Sequence, residues 1–260
     1  LSSICLMGIL QNENAIPVTG GGAFYNHQIA HSARFDLASS SYLSLASGNT
    51  SGNNDYWTFS WWWKSSPIST DQTILAGGSG TGSTDNYVEI RLRSNSDNTI
   101  RSSSTEANVF TTTAMYRDPS GWNHGCWNNN NGTSTFYVNG TQVGSGSFDG
   151  GSGGAINSKN MTIGRQTYQS GQFFDGYLAE MIMISHSSSA AVLTPTSFTE
   201  TKNGVLIPKD VSTLSNKDFY LKFENASSLG NDSSGNNRDW VANAMLADHQ
   251  VLDSPTIGTG

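Results

Sequence analysis

Charge is scarce in this chain. Only 13% of its 260 residues carry it, 13 Lys and Arg against 20 Asp and Glu, for a formal net charge of −7. The cations form no run along the sequence, which argues against a surface for phosphate backbones and so against a nucleic-acid partner. Cysteine is nearly absent: Cys5 and Cys126 make no disulfide framework, and no CxxC spacing marks a zinc site. Both are read as free thiols, with a Cys5–Cys126 bridge as the alternative. No apolar run approaches the ~20 residues that cross a bilayer, so membrane insertion is not expected. Residues 1–10 are apolar but lack a basic start, and the stretch is short for a signal peptide. Helical periodicity is missing almost throughout, and with it the crossovers that parallel sheets need. Catalytic patterns are missing too. His27, His31, His124, His186 and His249 are scattered, with the spacing of neither a zinc site nor a triad. The Gly-rich loop at 77–83 is followed by no helical pattern and no GK[ST], so it is no phosphate loop.

What is present is alternation and turn residues. Gly is abundant, with 28 copies, and Ser, Thr and Asn crowd the segments between apolar runs. Such loops hydrogen-bond water, sugars or a neighbouring subunit. The chain is organised around 160–185. There Met161-Thr162-Ile163 alternates, Phe173-Phe174-Asp175-Gly176 follows, and a strand runs from Tyr177 to Ile184. Strict alternation predicts Leu178, Glu180, Ile182 and Ile184 on one face and Tyr177, Ala179, Met181 and Met183 on the other. Both faces are mostly apolar, so this strand is expected deep, with cover on both sides. Gly176 lets the chain enter through a tight bend. In YWTFSWWWK, Trp57, Phe59, Trp61 and Trp63 make the strongest core-facing stripe, while Trp62 points the other way. It is a sugar-stacking or interface residue or a part-covered surface aromatic. Val88, Ile90 and Leu92 point inward, Glu89, Arg91 and Arg93 outward. Strands are expected at 121–127, with an Asn-rich turn at 128–132, and at 219–223. Asn139-Gly140 between alternating runs signals a type I′ hairpin, since both residues need positive φ.

These segments sum to roughly ten to thirteen antiparallel strands at sandwich spacing. The expected fold class is all-β, a two-sheet antiparallel jelly-roll sandwich over residues 32–224. An N-terminal arm precedes it at 1–31 and an extended C-terminal tail follows at 225–260. The arm carries Ile4, Leu6, Met7, Ile9 and Leu10 ahead of a Gly hinge. It docks on its own domain or on another copy or protein; the sequence leaves both open.

The order of these pieces resembles the LamG-like, concanavalin A-like lectin/glucanase jelly roll. Phe136 to Gly144, Ile163-Gly164-Arg165 and Phe174 to Met181 carry the likeness. The longer string looks similar to a group of structural proteins of marine tailed bacteriophages. It runs through Tyr116 to Trp122, Leu193 to Phe198, Asn203-Gly204-Val205, Phe219 to Phe223, Asp232 to Asn236 and Asp253-Ser254-Pro255-Thr256.

That resemblance implies a non-enzymatic virion component, a tail fibre, spike or capsid decoration at the particle surface. Its partners would be other copies of itself and other virion proteins. The alternative is a carbohydrate-binding adhesin for a host-surface glycan, with a glycoside hydrolase third. A hydrolase of this fold needs facing carboxylates, in the family an ExDxE-type pattern on one strand. Here Glu89 is followed by Ile-Arg-Leu and Glu180 by Met-Ile-Met. Glu180 is read as a structural carboxylate, with the Tyr177 hydroxyl or Arg165 as its partner. No cofactor is expected. Ca²⁺ is the one metal to try, since LamG-type domains sometimes hold it with loop acids, here Asp85, Asp149 and Asp175. For sugar binding the candidate aromatics are Trp62, Trp127, Tyr168 and Trp240, with Asn128 to Asn131 beside the second.

Overall fold

The computed structural model describes residues 24–46, 55–67, 69–78, 87–94, 100–104, 107–147, 160–167 and 171–256. In chain order the strands are β1 (Ser32–Phe35), β2 (Tyr42–Leu45), β3 (Tyr56–Ser65), β4 (Gln72–Gly78), β5 (Val88–Leu92) and β6 (Ile100–Ser104). Then come β7 (Ala107–Thr111), β8 (Asn123–Asn130), β9 (Thr133–Val138), β10 (Thr141–Ser147), β11 (Asn160–Ile163) and β12 (Gly176–Ser185). The last are β13 (Thr199–Lys202), β14 (Val205–Pro208), β15 (Lys217–Leu221), β16 (Val241–Asn243) and β17 (Gln250–Val251). Helix among the described residues is limited to three short 3₁₀ turns.

The strands pair antiparallel into two large sheets that face each other as a jelly-roll sandwich. The first runs β10-β9-β8-β3-β12-β1-β17, with β15 also on β12; the second runs β16-β2-β11-β4-β5-β6-β7. The aromatic stripe falls where alternation puts it. Trp57, Phe59, Trp61 and Trp63 all point into the space between the sheets, where they meet Val88, Ile90, Leu92 and Ile163 from the second sheet. Four rings make a column across that space. Phe59 stacks on Trp61 at 4.5 Å, Trp61 on Phe136 at 5.8 Å, and Phe136 on Phe110 of β7 at 5.5 Å. Offset stacking at such spacings is the geometry that ring quadrupoles favour.

β12 is the spine of the first sheet, but it departs from simple alternation. Its pairing with β3 slips between Ala179 and Ile182, and Glu180 sits at φ 46°. This is a β-bulge, and one extra residue turns the following side chains over. Leu178 therefore shares the inner core with Met181 and Met183, while Ile182 and Ile184 pack outside with Phe198 and Val211. The expected grouping of Leu178 with Ile182 and Ile184 is corrected by the bulge. At the same place β12 exchanges its neighbour, β1 beside Leu178 and β15 beside Met181.

Three Asn-Gly turns close hairpins: Asn131-Gly132, Asn139-Gly140 and Asn203-Gly204, each with both φ values positive. Asn128 to Asn130 belong to β8 rather than to the expected turn, which is confined to Asn131-Gly132.

The extended segment after 224 is pinned to both sheets. β16 pairs with β2 and β17 with β1, so it extends both sheets, and Trp240 packs against Phe219 in the core at 5.0 Å. The Asp253 to Thr256 motif is clamped to the start of the domain. Ile29 N–H donates to Thr256 Oγ1 at 2.9 Å, Trp122 Nε1 donates to Asp253 Oδ1 at 3.0 Å, and Lys64 pairs with Asp253. The Asp232 carboxylate closes its own loop, accepting from the N–H groups of Tyr220, Ser234 and Arg238. Of the expected arm, Ile4, Leu6, Met7, Ile9 and Leu10 lie outside the described residues, as does Cys5. Residues 24–31 run over the outer face of the first sheet, where Ile29 packs on Trp62 and Ala179.

Candidate functional site

Alternation leaves one set of side chains on the outer face of the first sheet. β3 contributes Tyr56, Thr58, Ser60, Trp62 and Lys64, β8 contributes His124, Cys126, Asn128 and Asn130, and β9 contributes Thr133, Thr135 and Tyr137. Much of this face is covered. Residues 186–198, the β13–β14 hairpin and the 24–31 segment lie across it and enclose two satellite clusters, one around Ile182, Phe198 and Tyr220, the other around Trp62 and Ala179.

The cover fixes the chemistry of what it hides. His124 is fully buried, shares a 2.9 Å hydrogen bond with Ser60 Oγ, and lies 5.0 Å from the Trp62 ring. Burial lowers its pKa to about 3, so it stays neutral. His186 meets Thr58 Oγ1 at 2.9 Å, and burial lowers its pKa to about 4. The Cys126 thiol is free and buried, and burial pushes its pKa up, away from reactivity. Glu180 lies 2.6 Å from His27 Nε2 and accepts from the Tyr220 hydroxyl at 2.7 Å. These are its partners, not the expected Tyr177 or Arg165. Arg165 instead lies over the Tyr42 ring at 4.1 Å, and Tyr177 stacks under Lys64 at 4.9 Å. Glu89 points outward as expected, yet it is 0% exposed. Gln166, from the loop after β11, covers it and donates to it at 3.0 Å; burial raises its pKa.

What the cover leaves open is a trough along β8 and β9. One hollow encloses about 570 Å³ and the next about 460 Å³, and Tyr137 and Thr194 line both. Tyr56 and Tyr137 supply ring surface to the first hollow, Asn128, Asn130 and Asn131 its amides, and Thr133, Thr135 and Thr194 its hydroxyls. The wall is tied to the floor. Asn128 Nδ2 donates to the Leu193 carbonyl at 3.2 Å, and Leu193 N–H donates to Thr58 Oγ1 at 3.2 Å. Burial raises the Tyr137 pKa, so its hydroxyl remains a neutral donor and acceptor. The second hollow brings a carboxylate to the trough, Glu200, which already accepts from Asn26 at 2.8 Å. This lining can hold hydroxylated, uncharged molecules through amide and hydroxyl hydrogen bonds over an aromatic floor.

The sugar-stacking candidates are not in it. Trp62, Trp127 and Trp240 are 4%, 0% and 3% exposed, so none offers a ring face. Trp127 points between the sheets with its Nε1 donating to Ser134 Oγ at 2.7 Å, and Trp62 is roofed by Ile29, Trp122 and Leu206. Tyr168 lies outside the described residues. The amides of Asn128, Asn130 and Asn131 do face a site, but its aromatics are Tyr56 and Tyr137 rather than the neighbouring Trp127. Tyr137 was open to detection: with Phe136 inward before the Asn-Gly turn, the next residue must point out. Among the described residues no group of three His, Cys, Asp or Glu could hold a metal ion. Asp175 stands alone before β12, its N–H donating to Gln72 Oε1 at 3.1 Å, and Asp85 and Asp149 lie outside the described residues.

The Laminin_G_3 family, described as the concanavalin A-like lectin/glucanases superfamily, matches residues 37–194. No curated protein matches the chain. Among solved structures, a "putative carbohydrate binding protein" of Bacteroides ovatus aligns with a TM-score of 0.56 at 14% identity, over 84% of this chain and 59% of that one. Mouse laminin alpha1 chain domains LG4-5 align with a TM-score of 0.43 at 12% identity, over 59% of this chain and 40% of that one. The SAP-like pentraxin of Limulus polyphemus aligns with a TM-score of 0.46 at 14% identity, over 71% of this chain and 94% of that one. The chain thus spans 59% and 40% of the lengths of the first two. At these identities the likeness is one of fold.

Proposed function

Since the chain belongs to the concanavalin A-like lectin/glucanases superfamily, we propose that it is a non-catalytic carbohydrate-binding module that seats a neutral glycan in the trough over Tyr137. The observation that carries this reading is the lining itself: two tyrosines among Asn amides and Thr hydroxyls, held open by a wall pinned to the floor. A glycosidase of this fold would need a second carboxylate facing the first. Among the described residues that line the trough, Glu200 is the only carboxylate, and it is bonded to Asn26. The Bacteroides ovatus protein, by its description, is in keeping with the reading but lends it only the fold. The test is an array of neutral glycans probed with the full chain and with Tyr137→Ala. Binding weakened at least tenfold by the substitution, about 1.4 kcal/mol, supports the proposal. No neutral glycan bound, or one bound equally by both proteins, refutes it.

A second reading sets this module on a phage virion, at the particle surface, as a tail fibre, spike or decoration. The motif order from Tyr116 to Thr256 supports it. In this reading the apolar residues 4–10 bury against other copies or virion proteins, on the scale of ~800 Å² per partner. Sedimentation of the full chain and of a form starting at residue 24 tests it. An oligomer reduced to folded monomers by the deletion is expected; identical masses would remove the reading.

A further inference from the structure

Arg91 and Arg101 stand directly opposite each other on β5 and β6. Ile90, Leu92 and Ile100 point into the core, so both arginines lie on the outer face of the second sheet. Like charges in that register repel and weaken a strand pair. Arg93, two residues past Arg91, adds a third cation. Burial first, then the fields of Arg91 and Arg93, lower the pKa of Arg101.

The three are not equally neutralised. Arg91 lies 3.1 Å from Glu89 and 3.7 Å from Asp71, and it donates to Gln172 Oε1 at 3.1 Å. Arg93 and Arg101 have no ion pair or hydrogen bond among the described residues, and the Nε of each is buried without a partner. Unmet buried donors are costly. A chain with 13 cations in 260 residues has nonetheless gathered three on one patch of one sheet. Guanidinium groups present fork-shaped donors that match a carboxylate or sulfate two bonds at a time.

We propose that Arg93 and Arg101, backed by the neutralised Arg91, form a second binding site that takes the carboxylate or sulfate group of an acidic polysaccharide. Two open guanidiniums suit a polymer with one anionic group per sugar or so. On a chain of net charge −7, a polymer as densely charged as a nucleic acid is repelled. The oxyanion site stands on the arginine geometry; its assignment to a polysaccharide rests on the carbohydrate-binding reading above. The site lies on the sheet opposite the Tyr137 trough, so the two can be separated.

The experiment measures binding of the full chain, of R93Q/R101Q and of Tyr137→Ala to ι-carrageenan, which carries sulfate alone, to polygalacturonate, which carries carboxylate alone, and to neutral dextran, at one ionic strength. The intact chain and Tyr137→Ala should bind at least one acidic polymer, and R93Q/R101Q at least tenfold more weakly; which polymer binds names the group. Failure of the intact chain to bind either acidic polymer overturns the proposal, as does equal binding by R93Q/R101Q. Loss of neutral-glycan binding in Tyr137→Ala with acidic binding intact would bear on the trough alone. Thermal unfolding supplies a second reading. In chloride, R101Q should unfold at the same temperature as the parent or higher, because the opposed pair is relieved. Sulfate in place of chloride should raise the parent's midpoint more than that of R93Q/R101Q; equal shifts overturn the proposal.

Discussion

His27 Nε2 lies 2.6 Å from Glu180 Oε1, and the two residues are 153 positions apart in the chain. The contact ties the segment before β1 to the bulge of β12, where Glu180 sits at φ 46° and also accepts from Tyr220. The Glu180 carboxylate raises the pKa of His27 above its ordinary 6.5, by hydrogen bond and then by charge, against the opposing effect of burial. A raised histidine stabilises fully below its unfolded value and loses that contribution as pH climbs through its folded value. The urea midpoint of the parent minus that of His27→Gln should therefore be largest below pH 6.5 and shrink above it. A difference that does not change with pH would contradict the pairing.

His124 and His186 act with the opposite sign. Burial lowers their pKa values to about 3 and about 4, so the folded protein keeps them neutral while the unfolded chain protonates below about 6.5. Their contribution to stability falls as pH drops from 6.5 towards these values, by up to about 1.4 kcal/mol per pH unit for each group. His124→Asn should flatten that slope over the same range, whatever its stability at neutral pH. An unchanged slope in denaturant titrations would count against the burial of His124.

Gly176 sits at φ 146°, and a Cβ there would collide with the Lys64 carbonyl across the β12–β3 ladder. Gly176→Ala should cost at least about 2 kcal/mol of unfolding free energy through strain and clash together. Gly140, in the open Asn-Gly turn at φ 82°, has nothing near its missing side chain, so Gly140→Ala should cost only about 1 kcal/mol. Chemical denaturation of both variants checks the order; Gly140→Ala as the worse of the two would break the argument.

Trp62 and Tyr137 offer the sharpest contrast between a packed aromatic and an open one. Trp62→Ala should cost about 3–5 kcal/mol of stability, the range for emptying a buried aromatic site. Tyr137→Ala should leave stability within about 1 kcal/mol or so and remove glycan binding. Calorimetry and glycan retention on the same two proteins decide it.

Much of the fold was legible because strand pattern is local. Trp57, Phe59, Trp61 and Trp63 alternate in sequence and do so in space, and Asn139-Gly140 demanded a tight hairpin that is present. The misreadings share a cause. Strict alternation through 177–184 failed at Glu180, where one extra residue in the ladder turned Ile182 and Ile184 outward. Alternation set Glu89 outward, but nothing in VEIRL announces that Gln166 will close over it. In residues 225–256 the strands β16 and β17 are only three and two residues long, too short for periodicity to reveal their pairing.

The amino-acid order by itself determined that this chain makes pleated layers with apolar interiors, joined by Asn-Gly turns, because side-chain direction along a strand repeats every second residue. Only the folded molecule decided which outward residues reach water. Trp62 is roofed by Ile29, Trp122 and Leu206, Tyr137 lies beside an open trough, and Arg91 meets Arg101 across a ladder. Exposure and charge clustering depend on segments far apart in the chain, and no local pattern records which segment will lie over which.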